Sequence, residues 1–446
     1  MIPQLQREAA AAPVAGEPRW SLAERIGFRF VFSYFVFYIA PGPVGSLTEG
    51  ERATSYGAVW SAMWHGIVLW VGRNILGLKG DLREVANGSG DQLYDYVLLL
   101  CILVMALIAT VMWSWLDRKR PNYRQLFQWL RLSMRFLLWS AMITYGACKL
   151  FPMQFAGVPL ARLVDPVGHL TPMGLLWTFM GYSRAYSFFA GCAEVLGGLL
   201  LMVPRFTTLG ALVSLGVLSN VLMLNLCYDV DRKILTIHLL LIAIFLVLPD
   251  TKRLTSLFLF NRTAEPADPV SFFEDKQLNQ AVFGFQYLCA AISLFFALQF
   301  AHQLAAKNLA HIGRPLQGIW TVEKFVWEDT TQPSLLSDQE RWRNVIFEKP
   351  DLLTIQPIDG QLQRYSFKLA NGGRSISFSK LRDPEWNATF TLQTQEKDRL
   401  LMVGEVQGRA VSATLHRLDL SDWSRFLLIN RGFHWVNQVT PWLVVP

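Results

Sequence analysis

Apolar residues fall in long unbroken runs up to about Gly313 and then alternate with polar ones toward the end of the chain. The two textures predict two kinds of element: a bilayer-crossing helix takes about 20 mostly apolar residues, whereas a half-buried strand shows a period of two. Runs free of Asp, Glu, Lys and Arg occupy residues 53–72, 96–116, 206–228 and 277–306. Residues 136–155 and 185–204 qualify with one charge each, Lys149 and Glu194, and 234–249 is shorter but dense in Leu and Ile. The first run, 26–40, is short, carries Arg29 and is stopped by Pro41-Gly42-Pro43. These runs predict seven spans; 26–40 either makes an eighth or lies along the inner interface.

Beyond Gly313 the stretches GIWTVEKFVW, LLTIQPIDGQLQRYSFKL, SISFSKL, NATFTLQTQ and RLLMVGEVQGRAVSATLHRL predict short strands. Asp359-Gly360, Asn371-Gly372-Gly373 and Gln407-Gly408 supply the turns. The expected fold is therefore an all-α polytopic membrane helix bundle of seven to eight spans, followed by a small all-β domain, barrel or sandwich. Its expected divisions are a tail (1–25), about three membrane segments with a basic loop (26–130), a four-helix unit (131–260), a loop with the last span (261–312) and the β-domain (313–446). Gly318-Ile319-Trp320 resembles the GxW of lipocalin-type barrels, in which the Trp packs beneath a late Arg. Arg417 and Arg431 are the candidates for that Arg.

Composition agrees with a bilayer setting. The 446 residues are 52% hydrophobic and 17% charged, with 16 Trp and 30 Phe, which is too apolar for an ordinary soluble enzyme. Five cysteines without close pairing predict neither a zinc site nor a disulfide framework. The net charge of +7 is modest, and its basic residues cluster between apolar runs, so it points to membrane topology and not to nucleic acid. The N-terminus lacks a signal-peptide pattern, leaving insertion to the internal segments. No P-loop, Rossmann fingerprint, serine-hydrolase elbow, haem or flavin signature is present.

Orientation follows the basic loops. Arg118, Lys119, Arg120, Arg124, Arg131 and Arg135 stand against one acid in residues 117–135, which places that segment in the cytoplasm. Alternation then puts 157–184 and 229–233 outside, and the β-domain becomes extracytoplasmic. The tail, with Arg7, Arg19 and Arg25, lands outside under eight spans, against the rule.

Ionisable groups within spans are functional candidates, because a charge facing lipid costs several kcal/mol. Lys149, Glu194 and His238 are the candidate catalytic groups. His65, Arg73, Asp91, Tyr94, Asn220, Asn225, Tyr228 and Asp229 are candidate substrate contacts, most of them expected in the outer half of the bundle. Lys149 has a second reading, an interfacial anchor that snorkels from the helix end. Glu194 is flanked at helical spacing by Ala190, Gly191, Gly197 and Gly198, so it is expected to face a close-packed helix, as a proton-active group or a structural acceptor. The histidines lack metal-ligand spacing, and no metal is expected. Cys148 and Cys227, both expected near the outer surface, form a candidate redox pair. In NGSGDQLYDY (87–96) a Gly-rich turn leads into a helix, and RGFHWVNQ (431–438) closes the β-domain or lines a binding mouth.

The stretches RFLLWSAMITYGACKLF, GCAEVLGGLLLMVPRFTTLGALV and SNVLMLNLCYDVDRKILTIHLLLIAIFLVLPD together resemble the four-helix unit of the DoxX-like superfamily. That resemblance implies a bacterial inner-membrane protein and a quinone- or thiol-linked redox role, with quinone as the candidate cofactor. The alternative is a receptor, carrier or assembly factor that binds a lipid, small molecule or protein partner without chemistry. A fainter similarity runs to the transmembrane domain of vitamin K-dependent γ-carboxylases and implies Lys149 as a base.

Overall fold

The computed structural model describes residues 19–39, 55–79, 82, 91–264, 266, 272–273, 275–309, 315–328, 341–349, 351–380, 383–396, 398–422 and 425–432. The tail before residue 19, Pro41-Gly42-Pro43, residues 87–90 and residues 433–438 lie outside them. The chain forms two compact units, one of residues 1–143 and 196–293, the other of residues 144–195 and 294–446.

All eight apolar runs contain a helix: α1 (Leu22–Ile39), α2 (Ser55–Trp70), α3 (Leu93–Leu116), α4 (Arg124–Leu150), α6 (Arg184–Met202), α7 (Thr207–Cys227), α8 (Lys233–Val247) and α10 (Lys276–Leu309). Two shorter helices, α5 (Pro172–Tyr182) and α9 (Thr251–Phe258), lie between them. Among the described residues five helical stretches are long and apolar enough to cross a membrane: Leu93–Leu116, Arg184–Met202, Pro204–Cys227, Lys233–Phe258 and Lys276–Lys307. The others differ for visible reasons. Helix α4 carries Arg124, Arg131, Arg135 and Lys149, α1 carries Glu24, Arg25 and Arg29, and α2 gives way after 16 residues to a π-helical turn, Val71–Ile75.

Polar side chains pin the helices of the first unit. Arg29 on α1 is 2% exposed, yet every edge of its guanidinium is used. It donates to Tyr123 Oη (2.9 and 2.7 Å), Ser114 Oγ (2.9 Å) and the Asp117 carbonyl (2.6 Å), joining α1 to the end of α3. A capping box in which Gln92 and Asp95 exchange bonds starts α3. Asp250, after α8, accepts from Arg253 (2.6 Å), Arg131 (3.4 Å) and the Thr208 hydroxyl.

In the second unit eight strands close into an antiparallel barrel in sequential order: β1 (Gly318–Trp327), β2 (Trp342–Phe347), β3 (Leu352–Pro357), β4 (Gln363–Ala370), β5 (Ser375–Lys380), β6 (Asp383–Glu396), β7 (Arg399–Val406) and β8 (Arg409–Arg417). Closure comes from β1 pairing with β8, Trp320 opposite Arg417. The expectation of barrel or sandwich resolves to a barrel. Inward positions such as Trp320, Phe325, Trp342, Phe378, Phe390 and Met402 meet in one apolar cluster. Gln407 and Gly408, both at positive φ, form the two-residue turn between Val406 and Arg409 that the strand twist favours.

Of the two candidate arginines, Arg417 lies over the Trp320 ring, 5.9 Å from its centroid, and donates to the Gln317 carbonyl at 2.6 Å. Gly318 has φ of +146°, and a Cβ there would sit 3.1 Å from Arg417 Nε, so the glycine both takes the backbone shape and leaves room for the guanidinium. A short helix, α11 (Leu427–Asn430), follows the barrel.

Candidate functional site

The second unit brings Lys149 and Glu194 together. Helices α4 and α6 touch at two glycines: a Cβ on Gly146 would lie 2.9 Å from the Gly191 carbonyl oxygen, and one on Gly191 would lie 2.9 Å from both the Gly146 carbonyl oxygen and Lys149 Cβ. That close approach sets Lys149 Nζ 2.9 Å from Glu194 Oε2, with the side chains 10% and 5% exposed. Lys149 Nζ also lies 3.5 Å from the Tyr145 carbonyl oxygen and 6.0 Å from the Tyr145 ring centroid. An ammonium carries three donors, so one remains after Glu194 and the Tyr145 carbonyl. Lys149 lines a cleft of about 230 Å³ with Pro152, Phe155, Arg184 and Phe188. Arg184 is exposed, so the cleft carries a paired cation and a second one at its side. Lys149 is not a free interfacial anchor.

His238, in the first unit, has its own partners. Tyr34 Oη lies 2.6 Å from His238 Nε2, and His238 Nδ1 lies 2.7 Å from the Ile234 carbonyl oxygen. A carbonyl only accepts, so Nδ1 carries the proton and Nε2 accepts from the phenol. The Tyr38 ring stacks on the imidazole at a centroid distance of 3.9 Å. Sequence reading missed Tyr34 and Tyr38. Their spacing of four residues on α1 was the available signal, within the run least like a span.

The remaining candidates, Cys148 excepted, have separate settings in the first unit. Asp91 accepts from the backbone N–H groups of Lys233 (2.6 Å) and Ile234 (2.9 Å), capping the start of α8 from a distant part of the chain. Tyr94 is buried, and its ring lies 5.6 Å from that of the half-buried His65. Asn225 is buried and donates to Thr236 Oγ1 (2.9 Å), tying α7 to α8. Asp229, 82% exposed at the side chain, pairs with Lys233 at 3.0 Å. Tyr228 is half-buried, while Asn220 and Arg73 are exposed. All five cysteines are free; Cys148 is buried and Cys227 exposed. Among the described residues no three His, Cys, Asp or Glu side chains are placed to hold a metal ion.

Fold and site thus define a class: a helical protein with, among the described residues, five helical stretches of membrane-crossing length and apolarity, a glycine-seated ion pair, and a closed eight-stranded barrel near its C-terminal end. The chain belongs to the family of the uncharacterized protein YwoB of Bacillus subtilis (strain 168). The two are 32% identical over 127 residues, which cover 28% of this chain and 80% of that protein. No family model matches the chain. No solved structure matches it.

Proposed function

We propose that this is a multi-pass membrane protein of DoxX-like kind, set in a bacterial inner membrane with its barrel outside. In this reading the Lys149–Glu194 pair receives the head ring of a membrane-soluble quinone. The membrane setting is supported by the five apolar helices and by the large side chains they leave uncovered, such as Val111, Trp115, Phe285 and Phe296. The span count we favour is eight, with α1, α2 and α4 joining the five. The four helices between the α4–α5 connector and the barrel, α6, α7, α8 and α10, put the two on the same side whatever number precedes them. Leu160 N donates to Glu348 Oε1 at 2.7 Å, a contact that requires them to share a side.

The observation that carries the quinone reading is the ion pair beside its cleft. The third donor of Lys149 suits a quinone carbonyl, Glu194 orients the ammonium, and Phe155 and Phe188 offer aromatic walls for a planar ring. When bound, the quinone supplies two-electron, two-proton redox chemistry; the residues here hold and orient its head. Thiol chemistry has less support, since Cys148, the cysteine beside Lys149, is buried. A second reading is a carrier or receptor that uses the same cleft to bind a lipid or small molecule without chemistry, since the cleft's aromatic walls and paired cation serve binding alone equally well. The carboxylase-like alternative has less: the Lys149 ammonium is engaged by Glu194.

Mass spectrometry of extracts from gently purified full-length protein tests the reading. Wild type is expected to carry a quinone in near-stoichiometric amount. The double variant Lys149→Met/Glu194→Leu, which removes the pair without stranding a charge, should lose it. Wild-type protein that carries lipid but no quinone would overturn the quinone reading and leave the carrier.

A further inference from the structure

A second, larger cavity lies in the same unit, away from the ion pair. The α4–α5 connector folds over the outer wall of the barrel, held by the Leu160–Glu348 bond and by Gln356 Nε2 donating to the Val164 carbonyl at 3.0 Å. Between this connector, α5 and strands β3 to β5 opens a space of about 1210 Å³, above the ~300–1,000 Å³ of ordinary small-molecule pockets. One side is apolar, with Met173, Trp177 and Leu362.

The charges of the lining do not cancel. Asp165 is taken by Arg162 (2.6 Å), with His169 Nδ1 3.7 Å away. Glu348 is taken by the Leu160 N–H, and burial holds its carboxyl above the usual carboxylate range. The Arg364 side chain makes no hydrogen bond or close ion pair among the described residues, and its charge reaches Glu348 only at longer range. Lys380 has as its neighbour the Trp386 ring, 5.2 Å from Nζ to the centroid. Two cations therefore line the space without a carboxylate of their own. Helix α5, which supplies Met173 and Trp177 to the cavity, leaves Leu175 and Phe179 46% and 56% exposed. An apolar exposed helical face beside a cationic site is the composition of a surface that meets lipid.

We propose that this cavity binds an anionic amphiphile, a phosphate- or carboxylate-headed lipid, with its head at Arg364 and Lys380 and its chain along Trp177 and Met173. The site is independent of the quinone cleft, and Lys149→Met/Glu194→Leu should leave it intact. Titration calorimetry on the full-length protein in neutral detergent tests it, with dihexanoyl phosphatidylglycerol, dihexanoyl phosphatidylcholine and inorganic phosphate as probes. Dihexanoyl phosphatidylglycerol should bind about tenfold or more tightly than either other probe, and Arg364→Gln/Lys380→Gln should weaken it by about tenfold or more. Lys368→Gln, on an exposed β4 position outside the lining, should change affinity less than about twofold. Glu348→Gln, which removes the carboxylate opposing the anion, should tighten binding. Equal affinity for inorganic phosphate would make this a soluble-anion site and overturn the amphiphile. Unchanged lipid binding in a folded double variant would overturn the site itself.

Discussion

Among the described residues the interior cluster of the barrel holds Trp, Phe, Tyr, Ile, Leu, Val, Met and Ala and no buried charged side chain, whereas the helical region buries Arg29, Arg135, Glu194, His238 and Asp250. The contrast follows from what each architecture leaves undecided. Ladder pairing around a closed barrel satisfies the strand backbone and fixes which residues face inward, so apolar packing completes the job. A helix bundle with apolar outer faces has no such guide in the bilayer proposed above, because an apolar side chain fits the bundle and the lipid equally well. Polar partners then decide which face turns inward: Arg29 selects Tyr123, His238 selects Tyr34, and Lys149 selects Glu194.

The largest expected effect breaks the helical side of this contrast. Glu194→Ala strands the Lys149 ammonium and should cost about 3–5 kcal/mol, read by denaturant titration in detergent. Lys149→Met/Glu194→Leu should recover most of that loss, because replacing a buried pair with apolar groups is often near neutral. Full loss in the double variant would mean the pair does more than select a helix face. On the barrel side, Met402→Ala removes a fully buried side chain and should cost about 3 kcal/mol by thermal melting. There a polar partner has nothing to rescue.

A smaller effect concerns Glu348, where the barrel wall meets the connector. Its folded pKa is raised by burial, so the unfolded chain releases this proton first as pH rises. The folded state therefore loses stability from the ordinary carboxylate value upward until Glu348 itself ionises. Glu348→Gln keeps an acceptor for the Leu160 N–H and removes that loss. Its melting temperature should exceed wild type at pH 7, and the gap should close near pH 4.

Much of the barrel was legible because its signals are local. Alternation marked β1 and β3 to β8, turn glycines marked the hairpins, and Gly318-Ile319-Trp320 marked the first strand and narrowed its covering arginine to Arg417 or Arg431. Strand β2 was not among the expected strands. Its sequence, Trp342-Arg343-Asn344-Val345-Ile346-Phe347, does not alternate, because the wall is covered on its outer face too: Asn344, Ile346, Thr354 and Gln356 are all buried, beside the connector that Gln356 grips. A strand covered on both faces loses its period.

Among the helices, the small residues around Glu194 foretold close packing, and Gly191 meets α4 as they implied. The partner was less legible. Lys149 lies 45 positions before Glu194, and nothing in a linear pattern names which buried cation a buried acid will meet. Tyr34 and His238 are 204 positions apart, and the same argument holds.

Asp91 gives the chain an order of assembly. Its carboxylate is synthesised 142 residues before the Lys233 N–H it will bind. Throughout the emergence of α3 to α7 that acceptor stands ready while its donors do not yet exist. The first turn of α8 then arrives to a cap already made, and docking this late helix is the event that ties the early segments of the chain to the late ones.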